Sequence, residues 1–204
     1  MKSADPRLGE LQQLLADRYP ELTPLQLDRF NRYYALVLKW NGLLHLTTLV
    51  EPKDFMERHI VEVLIIHSLI DRRVNTVWDL GSGVGVPGIP LAILRPDLNV
   101  RLVESSRKRA IFLETVIDEL KLDRCEVDCR RIETLPPPTP ETLLTARAVE
   151  KMASLIPLIQ ELAATAGQAM IFISLETASL LHQARLHPLP GADRRCVAIL
   201  ECST

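Results

Sequence analysis

One segment of the 204-residue chain concentrates glycine in a pattern that suits ligand binding. Residues 77–88 read VWDLGSGVGVPG, a short apolar run that ends in a glycine-rich turn. Glycine lets a backbone turn sharply and pass close to a ligand, and the N-terminus of the helix that follows favours an anionic group. Glu104, at the end of the next predicted strand, is suited to hydrogen bonding with ribose hydroxyls. Together these features predict a site for a nucleoside-containing ligand.

Short strands and helical segments alternate on either side of this turn. The apolar runs predict six strands, over residues 76–80, 99–103, 125–129, 143–146, 169–173 and 195–201. Helical periods separate most of them, such as Ile111, Phe112, Val116 and Leu120. Alternation at this pace is typical of βαβ units, and it predicts an α/β fold with a mainly parallel sheet.

The N-terminal third of the chain carries helical signals instead. Thr23-Pro24, a capping hydroxyl followed by proline at the first helical position, predicts one helix start, and Glu51-Pro52 predicts another. No strand pattern precedes residue 74. We therefore expect a helical extension over residues 1–73 and a ligand-binding domain over residues 74–204.

Composition excludes several classes of protein. Hydrophobic residues make up 47% of the chain and charged residues 25%, which excludes a largely disordered or fibrous protein. The net charge of −2 excludes a strongly basic protein that coats nucleic acid. No apolar run approaches the roughly 18 residues of a transmembrane helix, and the first residues lack the apolar stretch of a signal peptide. We expect a cytoplasmic protein with no membrane contact.

The four cysteines predict structural thiols rather than a redox or metal site. Cys125 and Cys129 fall in one predicted strand and Cys196 and Cys202 in another, each pair on one face. Neither pair has the C-x-x-C spacing, and no further ligands cluster nearby. We expect buried free thiols in a reducing compartment and no metal.

The glycine-rich turn leaves several functions open. A nucleoside site could belong to a methyltransferase for an RNA or a small molecule, to an NAD(P)-dependent enzyme, or to a nucleotide-binding module without catalysis. Asp79 and the additional Gly85 argue against an NAD(P)-dependent enzyme, because the usual motif of that class is G-x-G-x-x-G alone.

The turn also resembles the motif of S-adenosylmethionine-dependent methyltransferases, in which an aspartate lies two residues before the first glycine of G-x-G-x-G. From about Thr23 to Ile173 the chain resembles, more narrowly, the small-subunit rRNA guanine-N(7) methyltransferase family, also called glucose-inhibited division protein B. The matching pieces are Lys39-Trp40-Asn41, Leu46-Thr47, Arg58-His59, residues 79–91, Arg95-Pro96, Lys108-Arg109, Phe112-Leu113, Arg131-Ile132-Glu133 and Arg147-Ala148.

This resemblance implies a Rossmann-like S-adenosylmethionine-dependent methyltransferase fold, with a mainly parallel seven-stranded sheet and helices on both faces. It implies methyl transfer from S-adenosyl-L-methionine to N(7) of guanine 527 in 16S rRNA. The partner would be 16S rRNA or the small ribosomal subunit, with no obligate protein partner. Ring nitrogen 7 has a lone pair and no proton, so proximity and orientation suffice and no catalytic residue is assigned.

The resemblance also places the cofactor contacts of the family on this chain. They fall on Gly81, Val86, Ile132, Glu133 and Arg147, and Glu104 stands where the family usually has a ribose-binding aspartate. Ile132 offers an apolar surface to adenine, and the Glu133 carboxylate can accept a hydrogen bond from an amino group.

Basic residues near these positions predict an RNA-binding surface, because cations neutralise phosphates and arginine stacks on unpaired bases. The candidates are Lys39, Arg58, His59, Arg107, Lys108, Arg109, Arg130 and Arg131. Trp40, beside Lys39, is expected in the core rather than as a stacking platform. The chain departs from the family pattern at His45, Glu62-Val63, Arg107, Glu141-Thr142, Ala146 and Ile173-Ser174.

Overall fold

A seven-stranded sheet forms the centre of the computed structural model, which describes residues 5–147, 152–181, 183–191 and 194–201. The strand order is β3-β2-β1-β4-β5-β7-β6. Strand β7 runs antiparallel to both of its neighbours, and the other neighbouring pairs are parallel. The strands are β1 (Thr76–Leu80), β2 (Asn99–Val103), β3 (Cys125–Asp128), β4 (Thr142–Arg147), β5 (Gln168–Ser174), β6 (Arg185–Pro188) and β7 (Arg195–Glu201).

Helices precede the sheet and connect its strands. They are α1 (Pro6–Arg18), α2 (Pro24–Leu44), α3 (Pro52–Phe55), α4 (Glu62–His67), α5 (Gly88–Leu94), α6 (Arg107–Leu120), α7 (Met152–Ala163) and α8 (Leu175–Ala178). A π-helical turn, Met56–Val61, joins α3 to α4, and a 3₁₀ turn covers Ile132–Thr134. Among the described residues, no helix is both long and apolar enough to cross a membrane.

The helix start predicted at Thr23-Pro24 is confirmed. Thr23 and Gln26 form a capping box, in which each side chain bonds the backbone N–H of the other residue, and Pro24 begins α2. The buried side chains of α2 include Tyr33 and Tyr34, and both rings contact the ring of Phe55 at the end of α3.

Both faces of the sheet are covered, as the fold class requires. Alternate residues of a strand point to opposite faces, so Val77 faces one core and Trp78 the other. The first core contains the buried residues of α1, α2, α5 and α6, and the second contains those of α7. The N-terminal helices thus share one core with a face of the sheet. The division into residues 1–73 and 74–204 stays a prediction.

All six predicted strands are present, with boundaries shifted by at most one residue. The sequence pattern missed β6, a four-residue edge strand whose exposed Arg185, Leu186 and Pro188 give no clear alternation. The expectation of buried cysteines is wrong for Cys129, which lies one residue beyond β3 and is exposed. Cys125 is half-buried and Cys196 is buried, both as free thiols, whereas Cys202 lies outside the described residues.

Candidate active site

The glycine-rich turn lies between β1 and α5, where the strand order reverses between β1 and β4. Ligands of open α/β sheets bind at such a switch point, outside the carboxyl ends of the strands. The backbone N–H groups of Gly81 and Ser82 donate to the Val103 carbonyl at 2.8 and 3.1 Å, which ties the turn to β2. Gly81 has a φ of +71°, a left-handed conformation that side chains rarely adopt.

Asp79 fixes the other end of this turn. Its carboxylate is fully buried and accepts hydrogen bonds from the Gly88 N–H at 3.2 Å and from the Thr145 hydroxyl at 3.0 Å. A Cβ atom on Gly88 would lie 2.9 Å from Asp79 Oδ2 and 2.3 Å from Leu102 Cδ2, so this close approach requires glycine. Burial raises the pKa of Asp79 to about 6, although the hydrogen bonds from Thr145 and Gly88 oppose the shift.

This raised pKa predicts a pH-dependent cost to stability. Between about pH 4 and pH 6 the folded protein holds the Asp79 proton more tightly than the unfolded chain does, so the free energy of unfolding falls as pH rises. We expect the free energy of unfolding of the wild type, relative to that of Asp79→Asn, to fall by roughly 2–3 kcal/mol from pH 4 to pH 7. Denaturant unfolding at several pH values measures it, with exposed Asp123→Asn as the control. If the difference between the two free energies of unfolding stays constant with pH, the pKa of Asp79 is not raised.

Glu104 supports the middle of the turn. Its Oε2 accepts a hydrogen bond from the Gly83 N–H at 2.9 Å, and its Oε1 accepts one from the Ser106 N–H at 2.8 Å. The side chain is buried, yet it lines the cleft beside the turn. Each carboxylate oxygen retains a further lone pair. Glu104 can therefore hold the turn and accept hydrogen bonds from a ligand at the same time.

A cleft of about 800 Å³ opens beside these residues at the carboxyl edge of the sheet. The loops after β1, β2 and β3, the end of β4, and two N-terminal segments, residues 45–49 and 58–59, contribute to its lining. All six residues predicted to contact the cofactor lie in this lining: Gly81, Val86, Glu104, Ile132, Glu133 and Arg147. Ile132 is buried and Glu133 is exposed, so the two can offer the apolar and polar surfaces expected of them.

The loop 45–49 is tied to the helices on both of its sides. The Asn41 side chain donates to the Thr47 carbonyl and accepts from the Thr47 N–H, both at 2.9 Å. The Thr47 hydroxyl lies 3.1 Å from His59 Nε2. His45, where α2 ends in a left-handed conformation, lines the cleft as well. No sequence pattern placed this loop in the site, although Leu46-Thr47 was among the pieces that carried the resemblance.

Arg147 shares a buried carboxylate with two other arginines. Its Nη1 lies 2.8 Å from Glu62 Oε2, while Arg195 Nη1 and Arg58 Nε lie 2.7 and 3.1 Å from Glu62 Oε1. The Arg147 guanidinium also lies over the Phe172 ring, 5.2 Å from its centre. In the sequence Glu62 stood out only as a departure from the family pattern, and Arg195 did not stand out. The i, i+4 spacing of Arg58 and Glu62 was the one local signal of an ion pair.

The predicted RNA-binding residues fall into two groups. Arg58, Arg109, Arg130 and Arg131 line the cleft, whereas Lys39, Arg107 and Lys108 are exposed outside its lining. Arg109 is thus separated from its sequence neighbours Arg107 and Lys108, because it alone of the three lines the cleft.

His59 does not add to a basic surface. Its ring is buried against Phe55, and burial followed by the charges of Arg147 and Arg58 lowers its pKa to about 3, so it is neutral at physiological pH. His59 therefore lines the cleft as a neutral side chain, and its contact with RNA stays a prediction. Trp40 packs on Phe112 of α6, with ring centres 5.9 Å apart, which agrees with its predicted place in the core.

The strand order and the cleft beside the glycine turn define a class, the Rossmann-like methyltransferase fold. A Streptococcus thermophilus protein described as an rRNA methylase has this fold, with a TM-score of 0.52 at 16% identity. The match covers 71% of this chain and 95% of that one.

Sequence comparison identifies the family within this class. The model of rRNA small subunit methyltransferase G, GidB, matches residues 26–185. The ribosomal RNA small subunit methyltransferase G of Chromobacterium violaceum is 37% identical over 162 residues, which span 78% of this chain and 76% of the relative. That of Xanthomonas euvesicatoria pv. vesicatoria is 41% identical over 125 residues, 61% of this chain and 58% of the relative. This chain belongs to the rRNA small subunit methyltransferase G family.

Proposed function

We propose that this protein transfers a methyl group from S-adenosyl-L-methionine to N(7) of a guanine in 16S rRNA, at guanine 527 by family resemblance. The observation that carries the proposal is the cleft itself. It brings Gly81, Glu104, Ile132 and Arg147 together at the carboxyl edge of the sheet, although they lie on four different loops or strand ends.

The residues present fit the methyl donor. Gly81 leaves room for the ligand beside the backbone, and Glu104 offers free lone pairs for ribose hydroxyls. Ile132 provides an apolar contact for adenine, with Glu133 next to it. Arg147, at the end of β4, provides a cation on the opposite side of the glycine turn from Glu104, because β4 and β2 flank β1.

The chemistry that these side chains must perform is limited. When bound, S-adenosyl-L-methionine supplies an electrophilic methyl group on a sulfonium sulfur. Guanine N(7) has an in-plane lone pair and no proton, so the cleft needs no general base. The work of the cleft is therefore to orient the two reactants in a fixed polar environment.

The charge of the cleft supports an RNA substrate. Five arginines line it, against the carboxylates of Glu104 and Glu133, although the whole chain has a net charge of −2. The five are Arg58, Arg109, Arg130, Arg131 and Arg147. A concentration of positive charge on a weakly acidic protein attracts a polyanion to this one place.

Two measurements test the proposal. Calorimetry with S-adenosyl-L-methionine and with NAD should show binding of the first alone. Small ribosomal subunits from cells that lack the gene, incubated with the protein and labelled donor, should acquire the label at N(7) of a guanine in 16S rRNA. Binding of NAD but not of S-adenosyl-L-methionine would contradict the proposed methyl donor. A label at any other position would contradict the proposed site of methylation.

Glu104→Ala tests the ribose assignment. We expect its affinity for S-adenosyl-L-methionine to fall by about 1–3 kcal/mol, because polar partners in a buried site lose their acceptor. Calorimetry measures the affinity, and Glu126→Ala, an exposed glutamate that pairs with Arg101 outside the cleft, is the matched control. If both variants bind like the wild type, Glu104 does not contact the ligand.

The exposed pair Arg107 and Lys108 at the start of α6 tests the RNA surface. Replacing both with alanine should weaken binding to 16S rRNA. The fall of log affinity with log salt should also become less steep, by about 0.7–0.9 for each phosphate that is no longer neutralised. Affinity for the methyl donor should stay unchanged, because neither residue lines the cleft. Lys121→Ala, at the other end of α6, is the control. An unchanged salt slope would show that the pair faces solvent alone.

A further inference from the structure

A second, smaller pocket of about 270 Å³ adjoins the cleft. Arg58 and Arg147 line both cavities, so the two are separated by these side chains. The floor of the second pocket is apolar, with Phe172, Ile173 and Leu189 buried in it. Its remaining lining is polar or charged: Arg58, Glu62, Arg147, Ser174, Thr177 and Arg195.

The charge of this pocket is unbalanced. Three guanidiniums face one carboxylate, Glu62, and these are the charged side chains in the lining. Two positive charges therefore remain after pairing. Glu62 is buried and Arg147 has a side-chain exposure of 9%, so water screens this excess less than it would screen surface charge.

The hydrogen bonding of the cluster is also incomplete. Arg195 Nη1 donates a proper hydrogen bond to Glu62 Oε1. Arg58 Nε and Arg147 Nη1 lie 3.1 and 2.8 Å from the same carboxylate, but these contacts are not well-formed hydrogen bonds, so both nitrogens and Glu62 Oε2 lack one among the described residues. Buried polar groups in native proteins are nearly always paired. The three guanidiniums therefore share one carboxylate with an incomplete set of hydrogen bonds.

We propose that this second pocket binds a phosphate group of the RNA, one that adjoins the guanosine held in the cleft. The inference rests on the proposed function for the source of the phosphate. Phosphate supplies the negative charge that this pocket lacks together with further acceptor oxygens, and guanidinium binds it through paired hydrogen bonds. The hydroxyls of Ser174 and Thr177, 2.9 Å apart, are hydrogen-bonded to each other and leave one further donor at the same wall.

Arg195→Ala is the central test, because Arg195 lines the second pocket and does not line the cleft. We expect the affinity of this variant for 16S rRNA to fall about tenfold or more. The slope of its log affinity against log salt should become less steep by about 0.7–0.9. Arg194→Ala is the matched control, since Arg194 is exposed, pairs with Glu176 and lies outside the pocket. Both variants should bind S-adenosyl-L-methionine like the wild type.

Thr177→Asp provides a second variant that removes no arginine. It places a carboxylate in the lining, where we expect it to occupy the position of the phosphate and lower RNA affinity without unfolding the protein. Ser179→Asp, exposed beside the same helix and outside the pocket, is its control. A purely structural arginine cluster would leave the RNA affinity of Thr177→Asp equal to that of the control.

Small ligands separate this proposal from the proposed function. Guanosine 5′- or 3′-monophosphate should bind the wild type more tightly than guanosine, and this preference should disappear in Arg195→Ala. If the wild type does not methylate 16S rRNA but still binds the monophosphates more tightly than guanosine, the proposed function is wrong and the pocket is supported. Equal binding of all three ligands by the wild type would overturn the pocket. A weakened affinity of Arg195→Ala for S-adenosyl-L-methionine, with RNA binding unchanged, would overturn it as well, because the pocket would then hold the donor carboxylate.

Discussion

Gly81→Val is expected to lose at least about a thousandfold in affinity for S-adenosyl-L-methionine, or about 4 kcal/mol. Gly81 lines the cleft with a φ of +71°, so a side chain there both strains the backbone and occupies space beside the ligand. The β-branched valine has the least freedom to turn aside. Calorimetry on the folded variant measures the loss, with circular dichroism to establish the fold.

The control for Gly81→Val must carry the same backbone strain without the cleft. Gly191 has a φ of +63°, and a Cβ atom there would meet nothing within 4 Å. Gly191→Val should therefore be destabilised to a similar degree and still bind the methyl donor. Normal binding by a folded Gly81→Val would show that the ligand does not pass this residue.

Removal of the Glu62 carboxylate is expected to be the most destabilising single change in the site. Glu62→Gln would leave three guanidiniums without the carboxylate that all of them contact, two of them at least half-buried and one nearly inaccessible. Breaking a buried ion pair by removing one partner costs about 3–5 kcal/mol. Urea unfolding of wild type and variant measures the difference in the free energy of unfolding.

Two further variants make this prediction specific. Glu176→Gln removes the carboxylate of an exposed pair with Arg194, and it should change stability by less than about 0.5 kcal/mol. Glu62→Asp keeps the charge but shortens the side chain, so its stability should lie between those of wild type and Glu62→Gln. Equal stabilities of Glu62→Gln and Glu176→Gln would show that the arginines do not depend on the buried carboxylate.

Residues that act through local spacing could be predicted from the sequence. The glycine turn and Glu104 obey rules that operate within one βαβ unit, so Gly81 and Glu104 could be placed at one sheet edge before the fold was known. Ile132 was placed there only by the family resemblance. The edge strand β6 was missed, because three of its four residues are exposed and give no apolar alternation.

Contacts between distant segments could not be predicted in the same way. Glu62, Ile173 and Ser174 were noted as separate departures from the family pattern, yet all three line the second pocket. Arg195, paired with Ser174 in the β5–β7 ladder, completes it from a strand beyond the matched family region. Side-chain pairing across some 130 residues depends on strand order and register, and no pattern within either segment carries that information.

Because the N-terminal helices and the sheet share one core, a ligand bound in the cleft should stabilise the N-terminal helices as well as the sheet. Residues 45–49 and 58–59 form part of the cleft wall, while α1, α2 and the sheet bury their apolar side chains together. A ligand that binds only the assembled cleft adds about 2.7 kcal/mol to the stability at a hundred times its dissociation constant. That gain will extend to the N-terminal helices, so methyl-donor binding should slow proteolytic cleavage and amide hydrogen exchange in α1 and α2, far along the chain from the glycine turn.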